Sequence, residues 1–397
     1  MRILWLSNGP WAPSGYGEQT ALALPRLQSL GHDVGVLCNY GVQGRQTMWE
    51  GIPCYPSDGL WGNVALPTFV DVFEADQVIA LCDAWVLRPD DWPPGVTAAV
   101  WAPIDHFPIP PMVLSSLQSE RIRPVAMSRF GEGLMRECAL DPLYVPHSVD
   151  TSLFRPQPEI RDAVRDELDI PRDVFLVGMV AANQSGPICR KSFPQAFHAF
   201  AVFARDHPDA WLYAHTNAKP LGGGIALDTL AEAVGMPTGR LRFPHDHVWQ
   251  IGIPSRTLAA IYQAFDVLLM PSMGEGFGIP LIEAQACGVP VITSDHSAMT
   301  ELVGPGWLVE GDPFWDAPQT SFFTVPSIGS IVENLELAYE SARDPFLRSQ
   351  AAAFAATYDA DAVAREFWVP ALDSLAGDIA EARESSVAAD SRAEVVR

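Results

Sequence analysis

The opening of the chain sets the strongest limit on its fold. An apolar run is followed by a loop of turn formers, then by an apolar-periodic stretch closed by glycine, then by a second apolar run. Ile3 to Leu6 has the unbroken apolar character of a strand buried on both faces. Asn8-Gly9-Pro10-Trp11-Ala12-Pro13-Ser14-Gly15-Tyr16-Gly17 is a loop by composition. A helix is expected from about Glu18 to Leu30, stopped by Gly31, and a strand from Val34 to Cys38. Pro25 falls inside that helix, where proline costs about 3 kcal/mol, and predicts a kink. Strand, glycine-rich turn, helix, strand is a βαβ unit, and its two strands must run parallel. Further strands at Gln77–Leu81, Ala98–Trp101 and Pro124–Met127 continue the alternation. The expected fold class is α/β, a doubly wound parallel sheet with helices on both faces and functional loops at the carboxyl ends of its strands.

The pattern then starts again. Between Tyr144 and Pro158 the texture is that of a linker: Val145-Pro146-His147-Ser148-Val149-Asp150 and Phe154-Arg155-Pro156-Gln157-Pro158. A helix at Glu159–Leu168, a strand at Val174–Val180 and a helix from Pro194 to about Arg205 follow. Beyond them are a strand at Trp211–His215, a helix at Leu258–Phe265, a strand at Val267–Met270, a helix at Pro280–Ala286 and a strand at Val289–Thr293. The expected organisation is a Rossmann-like N-terminal domain over 1–150, a linker over 151–165 and a second Rossmann-like domain over 166–350. From Ile331 the chain reads as helical to about Leu375, with a helix at about 355–376 rejoining the first domain. Residues 377–397, poor in large apolar groups, are expected to form a flexible tail.

Charge narrows the classes of partner. Forty-eight acidic residues against 25 basic ones leave a net charge of −23, a field that repels nucleic-acid backbones and anionic lipid surfaces. The arginines at 121, 123, 129 and 136 are interleaved with Glu120, Glu132 and Glu137 and read as a solvated face. No apolar run approaches the ~18–20 residues of a membrane span, and the N-terminus turns polar at Ser7-Asn8, too soon for a signal-peptide core. The six cysteines show no metal-binding or C-x-x-C spacing, which fits reduced thiols and a cytoplasmic location.

The stretch from Asp266 to Thr293 carries the most chemistry. A buried strand ends at Pro271-Ser272, a glycine-rich loop carries Glu275, and a helix begins at Pro280 and ends at Gly288. Glu275 in the loop and Glu283 early in the helix would face one crevice. Carboxylates accept hydrogen bonds from sugar hydroxyls. Backbone N–H groups of Gly276, Phe277 and Gly278, with the helix N-terminus, suit an anion such as a phosphate. Together they point to a nucleotide-sugar; the plainer alternative is an ordinary turn with two helix-dipole glutamates. A second group is Asn183-Gln-Ser-Gly-Pro-Ile-Cys-Arg190-Lys191, between a strand and a helix. Two adjacent cations there, in so acidic a chain, suit a diphosphate and would neutralise it as a leaving group. Gly15 and Gly17, between the first strand and helix, could approach a phosphate or an acceptor.

These words resemble the signature of the family 4 retaining glycosyltransferases. Glu275 and Glu283 match the family's glutamate, seven residues, glutamate, and the flanking Pro-Ser, Gly-Phe-Gly, Glu-Ala and Ala-Cys-Gly-x-Pro-Val-Ile words match as well. The resemblance continues through Ser297-Ala-Met-Thr-Glu301 and is strongest over residues 170–315. It implies the GT-B fold: two facing Rossmann-like doubly wound domains with a deep inter-domain cleft, acceptor on the first domain and donor on the second. It implies that Glu275 holds donor-sugar hydroxyls and Glu283 the ribose diol. Lys191 matches a family lysine, while the arginine that the family often places just after the preceding strand is missing; Arg190 could substitute. It also implies a polar residue entering from the loop after Trp101, Asp105 in the first instance and His106 in the second.

The expected activity is retaining transfer of a sugar from a nucleoside diphosphate sugar to an acceptor hydroxyl of a glycan, metabolite, envelope component or protein, without cofactor or metal. His245-Asp246-His247 lacks a third ligand, and Asp359-Ala-Asp361 sits in a helical segment rather than after a strand, so neither reads as a metal site. A nucleotide-sugar epimerase, a sugar phosphorylase and a non-catalytic nucleotide-sugar binder remain open alternatives. A nucleic-acid-modifying transferase is weakened by the charge.

Overall fold

The structure, a computed structural model, describes residues 1–397 apart from 43, 58, 60, 185–187, 220–222, 246–251, 343 and 396–397. The chain divides into two compact units. The first comprises Met1–Pro103, Pro111–His147 and Ala360–Arg397, and the second Ile104–Pro110 and Ser148–Asp359.

The first unit is built on eight strands: β1 (Arg2–Ser7), β2 (Asp33–Cys38), β3 (Thr47–Trp49), β4 (Ile52–Pro56), β5 (Gln77–Leu81), β6 (Ala98–Ala102), β7 (Ile122–Ala126) and β8 (Leu143–Tyr144). Their spatial order is β3-β4-β2-β1-β5-β6-β7-β8, parallel throughout except for β3 at the edge. β1, β5 and β6 are buried along almost their whole length, as a parallel sheet covered on both faces requires. The first helix, Gly15–Ser29, starts earlier than the sequence pattern indicates, because the Ser14 hydroxyl accepts the Gly17 N–H at 3.1 Å and caps it. It continues through Pro25. Trp368 closes the unit from the far end of the sequence, with its ring 5.7 Å from that of Trp5 and 5.1 Å from that of Trp101. The residues expected as a flexible tail fall mostly within one helix, which runs from Val369 to Val395. Alanine and glutamate are strong helix formers, and the scarcity of apolar residues that reads as disorder is equally the mark of a solvated helix.

The second unit holds β9 (Phe175–Val180), β10 (Ala210–His215), β11 (Leu241–Arg242), β12 (Val267–Met270), β13 (Val291–Ser294) and β14 (Gly306–Val309). All pair in parallel in the order β11-β10-β9-β12-β13-β14. Counted from its own first strand this is third, second, first, fourth, fifth, sixth, the order of a dinucleotide-binding sheet, whose direction reverses between β9 and β12. Beyond it a hairpin unforeseen in the sequence pairs β15 (Gly311–Asp316) with β16 (Ser321–Pro326). The helix Phe193–Phe203 fills the core with Phe193, Phe197, Phe200 and Phe203, spaced to lie on one face.

Residues 151–165, expected as a linker, pack into this unit. The helix Arg161–Glu167 carries Arg165, fully buried and 2.8 Å from Asp266, and Arg161 reaches the same carboxylate at 2.6 Å. Arg165 also donates to the carbonyls of Ala264, Arg172 and Val174. A buried pair with this many partners is strongly destabilising to break, by about 3–5 kcal/mol. Its place at the head of β12 fixes where that strand begins.

Candidate functional site

In an open parallel sheet the ligand crevice lies beyond the carboxyl ends of the strands where the winding reverses. In the second unit those ends are the loop after β9, which carries Arg190 and Lys191, and the loop after β12, which carries Glu275. A backbone bond joins the two: the Met273 N–H donates to the Arg190 carbonyl at 2.8 Å. Cys189 and Ser192, which flank the cations, both sit at left-handed φ, +52° and +53°. Non-glycine residues are strained there, and such strain collects at sites that need a fixed geometry.

The two cations converge on one carboxylate. Lys191 Nζ lies 2.5 Å from Glu275 Oε1, and Arg190 Nη1 lies 3.1 Å from Glu275 Oε2 while also donating to the Gly274 carbonyl. Glu275 is buried, and its N–H donates to the Ser297 hydroxyl at 3.0 Å. Burial pushes the Glu275 carboxyl up, but Lys191 and Arg190 outweigh it and hold it at about 2. Burial in turn draws the Lys191 ammonium below the ordinary lysine value, against the upward pull of Glu275.

Asp105 and His106 join this cluster, because residues 104–110 belong to the second unit although they follow β6 of the first. Asp105 Oδ2 stands 3.9 Å from Arg190 Nη1. Burial raises the Asp105 carboxyl, yet the His106 hydrogen bond and the Arg190 charge leave it below the usual carboxylate range. The two residues are not equivalent: the Asp105 side chain keeps 28% of its surface exposed, the His106 ring only 4%. His106 stacks on Phe323 with ring centroids 3.6 Å apart and lies between two carboxyls, Asp105 Oδ1 at 2.6 Å from Nδ1 and Asp316 Oδ2 at 3.3 Å from Nε2. Asp316 and Phe323 come from the hairpin, which the sequence pattern does not predict. Gly274 makes the approach possible, since a Cβ there would run into the Asp105 carbonyl oxygen and the Phe323 ring.

The other residues singled out from the sequence fall into two groups. Glu283 lies on the helix Ile279–Ala286, buried, with its Oε2 accepting the Tyr262 hydroxyl at 2.8 Å. Gly276, Phe277 and Gly278 form the buried turn into that helix; Gly278 has φ +122°, and the Phe277 ring packs edge-on to Tyr358. Any ligand contact from these three would come from their backbone. Asn183 is buried, its amide donates to the carbonyls of Asn217 and Ile225, and its Oδ1 accepts the Ile225 N–H. Those bonds staple the loop after β10 and use the amide that a phosphate contact would need. Gly15 and Gly17 lie in the first unit, in the first turn of its first helix. Gly17 is required by packing, because a Cβ would meet the Ala12 carbonyl. Nearby, the Tyr16 hydroxyl donates to Asp83 at 3.3 Å.

Among the described residues no group of three or more His, Cys, Asp or Glu is arranged to hold a metal ion. Asp359 accepts the Thr151 hydroxyl and Asp361 pairs with Arg26 at 2.7 Å. Of the His245-Asp246-His247 run, positions 246 and 247 lie outside the described residues. No helix among the described residues is long and apolar enough to cross a membrane.

Known proteins resemble the chain in sequence and in fold. Residues 240–316 match the family described as Glycosyl transferases group 1. The chain is 31% identical over 159 residues to a D-inositol 3-phosphate glycosyltransferase of Corynebacterium kroppenstedtii, covering 38% of this chain and 32% of that protein. It is 30% identical over 186 residues to a GDP-mannose-dependent alpha-(1-6)-phosphatidylinositol monomannoside mannosyltransferase of Mycolicibacterium smegmatis, covering 45% and 44%. The matched stretches thus span 32% and 44% of the length of these relatives. Among solved structures, sucrose-phosphate synthase of Thermosynechococcus elongatus superposes with a TM-score of 0.71 at 15% identity, over 95% of this chain and all of that one. By fold the chain is GT-B, and its matched stretch is similar to the group 1 glycosyltransferases.

Proposed function

We propose that the chain transfers a sugar, with retention of anomeric configuration, from a nucleoside diphosphate sugar to an acceptor hydroxyl. The observation that carries the reading is the convergence of Arg190 and Lys191 on Glu275 at the reversal point of the second unit's sheet. A diphosphate is the ligand two adjacent cations in a −23 chain are suited to hold. A carboxylate between them suits the hydroxyls of the attached sugar. The matched relatives include a GDP-mannose-dependent enzyme, which supports a nucleoside diphosphate donor.

In this reading the bond between the anomeric carbon and the diphosphate oxygen breaks as the acceptor oxygen bonds to the same carbon on the same face. The acceptor proton passes to the departing phosphate oxygen. Arg190 and Lys191 stabilise the charge on the leaving group, Glu275 orients the sugar, Glu283 takes the ribose diol, and Asp105, 3.9 Å from Arg190, contacts the acceptor or the reacting sugar. No metal is required, so transfer survives excess EDTA.

The reading is tested by thermal shift with UDP-, GDP- and ADP-sugars, followed by mass spectrometry for transfer or hydrolysis. One nucleotide class should stabilise the protein, and Lys191→Ala should lower turnover by more than about 10²-fold. Full turnover in Lys191→Ala, or stabilisation by none of the donors, overturns it. Turnover of the donor with no acceptor, giving only an epimerised sugar, would turn the assignment to an epimerase.

A further inference from the structure

We propose that the hairpin β15–β16 is a positioning device for the candidate site, and that Asp316 is a positioning residue that fixes Asp105 through His106. What Asp105 does in turnover rests on the sugar-transfer reading; the positioning itself rests on geometry alone.

The hairpin ties together the two loops that carry the opposing carboxylates. The Phe107 N–H donates to the Phe322 carbonyl at 3.1 Å, and the Phe322 N–H returns to the Phe107 carbonyl at 3.2 Å. Two residues further along the same strand, the Thr324 N–H donates to the Met273 carbonyl at 3.0 Å. Asp105 lies two positions before Phe107, and Glu275 two positions after Met273. A side-chain bond from Ser321 to the Pro108 carbonyl adds a third tie. One strand therefore sets the separation between Asp105 and the Arg190–Glu275–Lys191 group.

Near its turn the hairpin sorts its faces for this, whereas Phe314, opposite Phe323, is exposed. Successive side chains of a strand alternate in direction. Asp316, Ser321 and Phe323 are buried on one face, while Trp315 and Phe322 are exposed on the other. The buried face meets His106 from two directions: Phe323 fixes the plane of the ring, and Asp316 at Nε2 fixes its rotation within that plane. Only that rotation leaves Nδ1 at 2.6 Å from Asp105 Oδ1. Held there, Asp105 keeps its other oxygen toward Arg190.

Stability does not account for Asp316. Its second oxygen, Oδ1, is buried and has no hydrogen-bond partner among the described residues. A half-satisfied buried carboxyl works against folding, so an apolar residue of similar size would be the better structural choice. Keeping the carboxyl makes sense only for what its Oδ2 does to His106.

Asp316→Leu and Asp316→Asn separate this role from a structural one. In Asp316→Leu, kcat for transfer should fall roughly 10- to 100-fold, with nucleoside diphosphate affinity within about twofold and melting temperature unchanged or higher. Asp316→Asn, which keeps an acceptor oxygen, should recover part of kcat. Unchanged kcat in Asp316→Leu, or a fall in melting temperature and nucleotide affinity in step with kcat, overturns the proposal. A second readout needs neither turnover nor the leucine variant: the ¹⁵N shifts of the His106 ring in wild type and Asp316→Asn. Shifted ring nitrogens support the proposal; identical ones overturn it, even if the protein transfers no sugar. Absence of turnover in wild type with a shifted His106 ring counts against the sugar-transfer reading alone.

Discussion

Arg190 and Lys191 already serve one anion of the chain itself, the Glu275 carboxylate they hold at about 2. A diphosphate must compete with it for the same two cations. Glu275→Gln removes the competitor and leaves both cations in place. The variant should bind free nucleoside diphosphate at least as tightly as wild type while losing more than about 10²-fold in transfer, because the sugar contact goes with the charge. Calorimetric titration checks the first half and product analysis the second; a nucleotide affinity weakened beyond about tenfold would refute the competition. Of this cluster the sequence disclosed the members that sit at strand ends, since the loops after β9 and β12 can be located from the apolar runs before them. It could not show that Asp105 meets Arg190, a contact across 85 positions, nor separate Asp105 from His106. Asn183 illustrates the limit from the other side. A polar residue just past a strand looks the same in sequence whether it binds a ligand or staples a loop, and its partners, Asn217 and Ile225, lie 34 and 42 positions downstream.

At the scale of elements, the central parallel strands were legible, whereas the parallel β4, β8, β11 and β14 and the hairpin were not. Buried parallel strands are uninterrupted apolar runs, and β1, β5, β9 and β12 stand out as such. Gly311-Asp-Pro-Phe-Trp-Asp316 carries a proline within the strand and an acid, Asp316, as its one buried residue, both of which argue against a strand when only pattern is available. What the hairpin buries is not a core but a histidine and its carboxyl. The last helix was legible only to about Leu375 for a related reason, since composition reports the absence of an apolar face and not the absence of structure. The junction of hairpin, residues 104–110 and the β12 loop depends on the missing side chain of Gly274. Gly274→Ala changes no charge and touches no hydrogen-bonding side chain, yet its methyl must displace the Asp105 carbonyl or the Phe323 ring. It should cost about 1–3 kcal/mol of stability and lower turnover more than nucleotide affinity. Wild-type melting and wild-type kcat in this variant would show that the close approach is not needed.

For the whole molecule the telling variable is pH. Each unit buries a histidine outside the Arg190–Glu275–Lys191 cluster. In the first unit His147 packs edge-on to Trp101, with ring centroids 4.4 Å apart, and burial draws it down to about 3; in the second, His215 beside Tyr213 is drawn down to about 4. In the unfolded chain both titrate near 6.5. Between pH 6.5 and their folded values the unfolded state therefore binds protons that the folded state refuses, so stability falls as the pH drops through that window. Glu275, lowered from 4.5 to about 2, adds to the loss only below about pH 4.5. A second effect runs the other way: acid neutralises part of the −23 charge and relieves self-repulsion. The raw pH profile is thus a difference of two opposed terms, and a single variant isolates one of them. His147→Gln keeps the formal charge at pH 7 and removes one buried titration, leaving the repulsion as it was. Its melting temperature should decline less than that of wild type between pH 6.5 and 4.5. Parallel profiles would mean that the buried imidazole is protonated at little cost, and that the acid sensitivity of the first unit comes from elsewhere.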